Sequence, residues 1–194
     1  SPFYYSEGVR VNVGKYSQQL RTSDLQELTA LAQEMANQKE VLTPQQMFVL
    51  SIRLYDLGCK DSSVYWWYEA RFRAILFKNS LDPAHIGGIG NPAFELRAAY
   101  NAFSQLAGSY LNGYAGCDID KWINILKMVK DDNLKPPELD KIFPNVVFVE
   151  HGQWQQINDK NVAQFDELIN QISTNRDTIK QDRAANNLDA QYCH

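Results

Sequence analysis

The sequence predicts a mainly α-helical, single-domain bundle of about six helices with a minor two-stranded β element. Three observations carry that expectation. Apolar residues recur at three- and four-residue spacing through most of the chain. Several of these stretches open on a recognisable helix start, and only two short runs have the composition of a strand. With 194 residues there is room for one core and not for two ordinary ones. The expected domain is therefore 1–194, with residues 1–20 as an N-terminal arm and residues 184–194 as a tail that frays.

Taken in order, Val9, Val11 and Val13 alternate with polar residues between Gly8 and Gly14, the period-2 pattern of a half-buried strand. Its expected partner is distant: residues 146–149 read Val-Val-Phe-Val between Pro144 and Gly152, too short for a helix. The first helix follows Ser23 and Asp24, with Leu25, Leu28, Leu31, Ala32 and Met35 on one face. Thr43-Pro44 opens the second, which carries Met47 to Tyr55 and stops at Gly58. Asp61 or Ser62 is expected to cap the third, reaching about Lys78. The connection is so short that the second and third helices must lie side by side as an αα-hairpin.

Asn91-Pro92 announces the fourth helix, with Ala99, Ala102, Phe103, Leu106, Ala107 and Tyr110 as its expected apolar face and Asn112-Gly113 as its stop. Asp118 is a cap for the fifth, whose stripe is Trp122, Ile125, Leu126 and Val129, and Pro136-Pro137 forbids continuation. The sixth begins near Asn161 with Val162, Phe165, Ile169, Ile172 and Ile179 as its seam. Arg176 interrupts that seam, so the last turns face solvent or a partner. A faint Gly58, Ala70, Pro83 spacing resembles one tetratricopeptide unit, but no second copy follows, which argues against a solenoid.

Nineteen basic against 23 acidic residues give a net charge of −4, without the basic excess that phosphate-backbone binding requires, so nucleic acid is not an expected partner. No apolar run approaches the ~18 residues of a membrane span. The initial Ser1 suggests either removal of an export signal or trimming, and we read it as export to the periplasm or beyond, with a cytoplasmic location as the alternative. Cys59, Cys117 and Cys193 form no Cys-x-x-Cys pair, and at most one internal bridge can join them.

The densest feature is Val64-Tyr65-Trp66-Trp67-Tyr68 followed by Glu69-Ala70-Arg71-Phe72-Arg73. Consecutive aromatics point all around a helix, so this one is expected to be central, and Tyr65, Trp66 and Trp67 to be core or to line a pocket. Glu69 and Arg73 lie four apart in the favourable order and should pair. Arg71 projects from another face and needs its own carboxylate, for which Asp118 and Asp120 are the candidates. Without one, its planar donor fork is available to an anion or to a partner's acidic side chain.

Other chemistry is poorly supported. The run His85-Ile86-Gly87-Gly88-Ile89-Gly90-Asn91-Pro92 leads into a helix start that could hold an anion, but it lacks a P-loop ending and reads as a flexible connection. The histidines His85, His151 and His194 show no metal-ligand spacing. Glu150 and His151, adjacent on an extended segment, face opposite sides. Neither a Gly-x-Ser-x-Gly elbow nor a converging carboxylate pair is present. No catalytic residue, metal or cofactor is assigned.

The segments Tyr65-Trp66-Trp67-Tyr68-Glu69-Ala70-Arg71-Phe72-Arg73, Asn112-Gly113-Tyr114 and Arg183-Ala184-Ala185-Asn186 together resemble a group of uncharacterised helical bacterial proteins, at the level of motifs and over roughly residues 45–190. The resemblance implies an aromatic helix with two arginines and a long C-terminal helix. It implies no activity and no site residues, and the cysteines lie outside its pattern.

The function expected from these readings is that of a non-enzymatic bacterial binding protein, most concretely an immunity protein that neutralises a secreted toxic effector. Its partner-binding candidates are Arg71, Arg73, Asp118, Asp120, Arg176, Asp177, Lys180 and Arg183, with the end of the sixth helix or residues 87–90 as the contacting surface. The alternative is a small enzyme or small-molecule-binding protein with a pocket near Arg71 and His151, lined by Tyr65, Trp66, Trp67 and His85.

Overall fold

Helix starts are written into the side chains. Asp24 accepts from the backbone N–H of Glu27 at 2.9 Å while the Glu27 carboxylate accepts from the Asp24 N–H at 3.1 Å, which opens α2 (Leu25–Ala36) with a reciprocal cap. Thr43 and Gln46 form the same device ahead of α3 (Pro44–Asp56), whose proline occupies a first-turn position that needs no donor. Asn91 caps α5 (Pro92–Ala115) and Asp118 caps α6 (Ile119–Asp132). Between α3 and α5 runs α4 (Lys60–Ser80), which starts behind Cys59 with no side-chain cap. Asp61, an expected cap, instead binds Lys121 at 2.9 Å and Tyr114 at 2.9 Å.

These assignments come from a computed structural model that describes residues 13–194. Among the described residues there are ten α-helices. The count exceeds six because the short α1 (Ser17–Thr22), α7 (Leu139–Ile142) and α10 (Leu188–Tyr192) had no periodicity to betray them, and because the sixth predicted helix is two: α8 (Trp154–Thr174) and α9 (Arg176–Ala185). The β element is also corrected. Val9 and Val11 lie outside the described residues, and Val13 belongs to no strand. Phe148 forms a single antiparallel bridge with Leu81, supported by Asp82 N–H to Val147 O at 3.1 Å and Val149 N–H to Ser80 O at 2.9 Å. The strand-forming run thus satisfies its backbone on the end of α4.

The centre of the bundle is α4. It buries Val64, Trp66, Trp67, Tyr68, Ala70, Phe72, Leu76 and Phe77, which lie on nearly every side of the helix, so only a narrow stripe of its surface reaches water. Against it lies α3, and the two approach closely where buried Ser51 and Ser63 each donate a hydroxyl to the other's carbonyl at 2.7 Å. Phe48 of α3 joins Trp67 at 5.1 Å to Phe103 of α5 at 5.0 Å, while Phe165 of α8 meets Phe72 at 5.0 Å. On α5 the buried stripe is Ala93, Tyr100, Phe103, Ala107 and Leu111. Leu106, expected inside, is 74% exposed, because α5 has apolar residues on two faces and only one packs.

Polar groups fix the register of the outer helices. Asn133, at the end of α6, donates to the Glu69 carboxylate at 2.7 Å and accepts from Arg73 Nε at 2.7 Å. Buried Asn158 and Asn161 of α8 donate to Asn133 O at 2.8 Å and Phe72 O at 2.9 Å. Sliding α8 along α4 would strand these amides without partners.

The C-terminal segment, expected to fray, is docked. Cys117 and Cys193 are disulfide-bonded, Cys59 is free, and Tyr192 packs on Gly113, where a Cβ would sit 2.5 Å from its ring. Arg183 turns inward beside them, donating to Asp189 at 2.7 Å and to Gly113 O at 2.9 Å, and a Cβ on Gly116 would collide with its guanidinium. Both glycines therefore serve close approach rather than flexibility. The two later motifs that carried the resemblance, residues 112–114 and 183–186, meet here in space.

Candidate functional site

A recess opens between the antiparallel α4 and α5, on the one stripe of α4 left uncovered. Arg71, Ala74, Ile75 and Lys78 face it from α4, and Arg97, Tyr100, Asn101 and Ser104 from α5. Both sets follow the same three-one-three spacing, which places each on a single helix face. The volume is about 130 Å³. Ala74 and Ile75 contribute its apolar part, and the Tyr100 hydroxyl is committed elsewhere, donating to Gln45 at 2.9 Å.

Its electrostatics are one-sided. Arg71 lies over the Tyr68 ring at 5.7 Å, a cation–π contact that holds the guanidinium in place without neutralising it. Burial pushes the Tyr68 phenol up to about 12, against the opposing pull of the Arg71 charge. No carboxylate among the described residues reaches Arg71, Lys78 or Arg97. Arg97 Nε is buried and has no hydrogen-bond partner. Asn101 and Ser104 add neutral groups with no side-chain hydrogen bonds of their own among the described residues. Burial also raises the Tyr100 phenol well above its ordinary value, which keeps it uncharged.

The carboxylates expected for Arg71 are taken. Asp118 caps α6 on Lys121 N–H at 3.0 Å, and Asp120 binds Arg176 at 2.6 Å. The sequence condition for a free fork at Arg71 is thereby met.

Five other partner candidates do gather. Asp118, Asp120, Arg176, Lys180 and Arg183 line a shallow depression where α6 begins beside α9, and Asp177 is exposed on the first turn of α9. Arg183 belongs to the tail dock and is 7% exposed, so it cannot meet a partner while the tail is in place. Arg73 is also withdrawn from that role: it is buried against Glu69 at 3.4 Å and bound to Asn133. Burial pushes the Glu69 carboxyl above and the Arg73 guanidinium below their ordinary ranges, and their mutual attraction offsets only part of this.

The pocket expected around Tyr65, Trp66, Trp67, His85 and His151 does not assemble. Trp66 and Trp67 are core. The Tyr65 hydroxyl donates to Asp132 at 2.6 Å and accepts from Lys39 at 2.7 Å. Lys39 also donates to Asp132 at 2.7 Å, and although burial opposes ionisation of Asp132, the bonds it accepts from Lys39 and Tyr65 hold it below the usual carboxylate range. His85 pairs with Asp82 at 2.8 Å in the α4–α5 connection. His151 lies in a separate recess with Lys135, Pro136, Glu138 and Trp154, its ring 4.4 Å from the Trp154 ring. Arg71 and His151 therefore line different cavities. At the helix start after the glycine-rich connection two donors are already taken, since Glu95 accepts from Gly90 N–H at 2.9 Å and Asn91 from Ala93 N–H at 2.9 Å.

Sequence reasoning passed over Arg97, Asn101 and Ser104. Their spacing of four and three was a usable signal, but a solvated helix face shows the same pattern. Among the described residues no cluster of three or more histidine, cysteine, aspartate or glutamate side chains is placed to hold a metal, and no helix is long and apolar enough to cross a membrane.

Comparison with known proteins adds little to this geometry. No family model matches the chain and no solved structure matches it. An uncharacterized protein of Haemophilus influenzae is 32% identical over 80 residues, which make up 41% of this chain. The match spans 28% of that relative's length, so the chain is distantly similar to part of a larger bacterial protein.

Proposed function

We propose that this chain is a non-enzymatic bacterial binding protein, most concretely an immunity protein that binds and neutralises a secreted toxic effector. The observation that carries the reading is the α4–α5 recess with Arg71, Lys78 and Arg97 facing it and no carboxylate among them. Cations that line one recess without a carboxylate repel one another and are stabilised by an anionic group brought from outside. Acidic side chains at an effector's active site or on its lid are such groups. Holding them between α4 and α5 would occlude the site, with exposed Asp177 and Lys180 and the half-buried Arg176 of α9 as a second contact. The Cys117–Cys193 disulfide supports a periplasmic or otherwise exported location, because such bonds persist in oxidising compartments.

Crosslinked purification from the native host, with periplasm and cytosol separated, tests the reading. The unaltered chain is expected to co-purify with a stoichiometric protein whose toxic activity it inhibits. Arg71→Glu/Arg97→Glu should lose at least about tenfold in affinity for that protein while keeping its helical content by circular dichroism, because neither side chain belongs to the buried core. Equal capture by both chains would remove the recess from the interface, and absence of any stoichiometric partner would overturn the reading.

The volume of about 130 Å³ favours a second reading, a small anionic ligand in the same recess.

A further inference from the structure

We infer that the α4–α5 recess is a binding site for a doubly charged tetrahedral oxyanion, a phosphoryl group, gripped by Arg71, Lys78 and Arg97 with Asn101 and Ser104 as neutral donors. The inference rests on the reading of the recess as a place of binding and names the chemistry it takes. Charge is the first argument. Three cations face the recess without a carboxylate, so a single carboxylate leaves two positive charges uncompensated and a phosphoryl dianion leaves one. Donor geometry is the second. Guanidinium forks on opposite walls, Arg71 fixed over the Tyr68 ring and Arg97 facing it from α5, can each address two oxygens of a tetrahedral group, whereas a planar carboxylate presents only two oxygens in all. Size is the third, because about 130 Å³ is below the ~300 Å³ of a typical organic-ligand pocket and suits a compact ion.

The phosphoryl group has two sources, a free phosphate or one carried on a larger molecule. Titration calorimetry of the full chain with inorganic phosphate and, separately, with a phosphoserine peptide distinguishes them. Saturation by inorganic phosphate at one site supports a free ion, and saturation by the peptide alone supports a carried group. In either case acetate should bind at least about tenfold more weakly, and Arg97→Gln should weaken phosphoryl binding about tenfold or more. Ser104→Ala, an exposed change that leaves the core untouched, should weaken it severalfold and guards against a result caused by misfolding.

The ligand supplies a further readout. Phosphoserine has a second pKa of about 6, so its affinity should fall roughly tenfold between pH 7.5 and pH 5. Sulfate, a dianion throughout, should show no such fall. The charged and titratable groups that face the ligand are Arg71 and Lys78 from α4 and Arg97 and Tyr100 from α5.

No saturable binding of either phosphoryl probe, equal affinity for acetate, or an unchanged affinity in Arg97→Gln would each overturn the inference. Should phosphoryl binding fail while Arg71→Glu/Arg97→Glu still releases a protein partner, the oxyanion site falls and the binding-protein reading stands. Should phosphoryl binding succeed while capture of a partner is unaffected by the same substitutions, the oxyanion site stands and the protein contact lies elsewhere.

Discussion

Glu69→Ala is expected to destabilise the fold by about 3–5 kcal/mol, measured as a shift in the urea unfolding midpoint at constant slope. Glu69 is fully buried and Arg73 nearly so, and the two are joined through Asn133. Removing the carboxylate leaves a guanidinium charge in the interior with an amide as its remaining close partner. Ionisation of both groups is opposed by burial more than it is helped by pairing, so the pair itself adds little net stability. The double replacement Glu69→Leu/Arg73→Met should therefore recover most of what the single change loses. If Glu69→Ala stays within about 1 kcal/mol of the unaltered chain, the cluster is not the buried determinant described here.

Opening the disulfide should have the next largest effect. Cys117 and Cys193 are 76 residues apart in sequence, and cross-links over such loops typically contribute about 2–4 kcal/mol. Cys117→Ser/Cys193→Ser, or reduction of the unaltered chain, should lower the calorimetric midpoint by roughly 5–15 °C. Two further losses accompany it, since the sulfurs lie 3.3 Å from Arg183 and the same segment seats Tyr192 on Gly113. A midpoint unchanged by dithiothreitol would mean that Arg183 and Tyr192 hold the tail without the covalent link.

What the sequence discloses here is mostly what local physics decides. Asp24, Thr43 with Pro44, Asn91 with Pro92, and Asp118 each mark a helix start within a few residues of its own chain, and each is found where it reads. The αα-hairpin follows from a connection too short for anything else. The failures have tertiary causes. The start of α8 at Trp154 lies seven residues before the expected start near Asn161, and Asn158 and Asn161 are buried there on partners supplied by Asn133 and Phe72. Residues 146–149 have real strand character, but the edge they meet is Leu81, which no periodicity foretold. Leu106 shows that an apolar residue at the right spacing can lie on the face that nothing covers.

The site was legible only as a condition. Arg71 needs a carboxylate, and whether one arrives depends on Asp120 choosing Arg176, a contact between residues 56 apart. Arg97 carried no sequence signal beyond its spacing. Its significance comes from α5 lying antiparallel to α4, which brings it opposite Lys78 and Arg71.

The arrangement of near and distant contacts sets an order in time. Three residues join α3 to α4, so that hairpin closes at little entropic cost. The amide of Asn161 must find Phe72 across 89 residues, and Cys193 must find Cys117 across 76. Contacts of this kind form late. The speed of folding should then be governed by the α3–α4 pair, and the lifetime of the folded molecule by the late contacts of α8, α9 and α10. Evolution or an engineer can thus lengthen the protein's persistence through its C-terminal helices while leaving its rate of assembly unchanged.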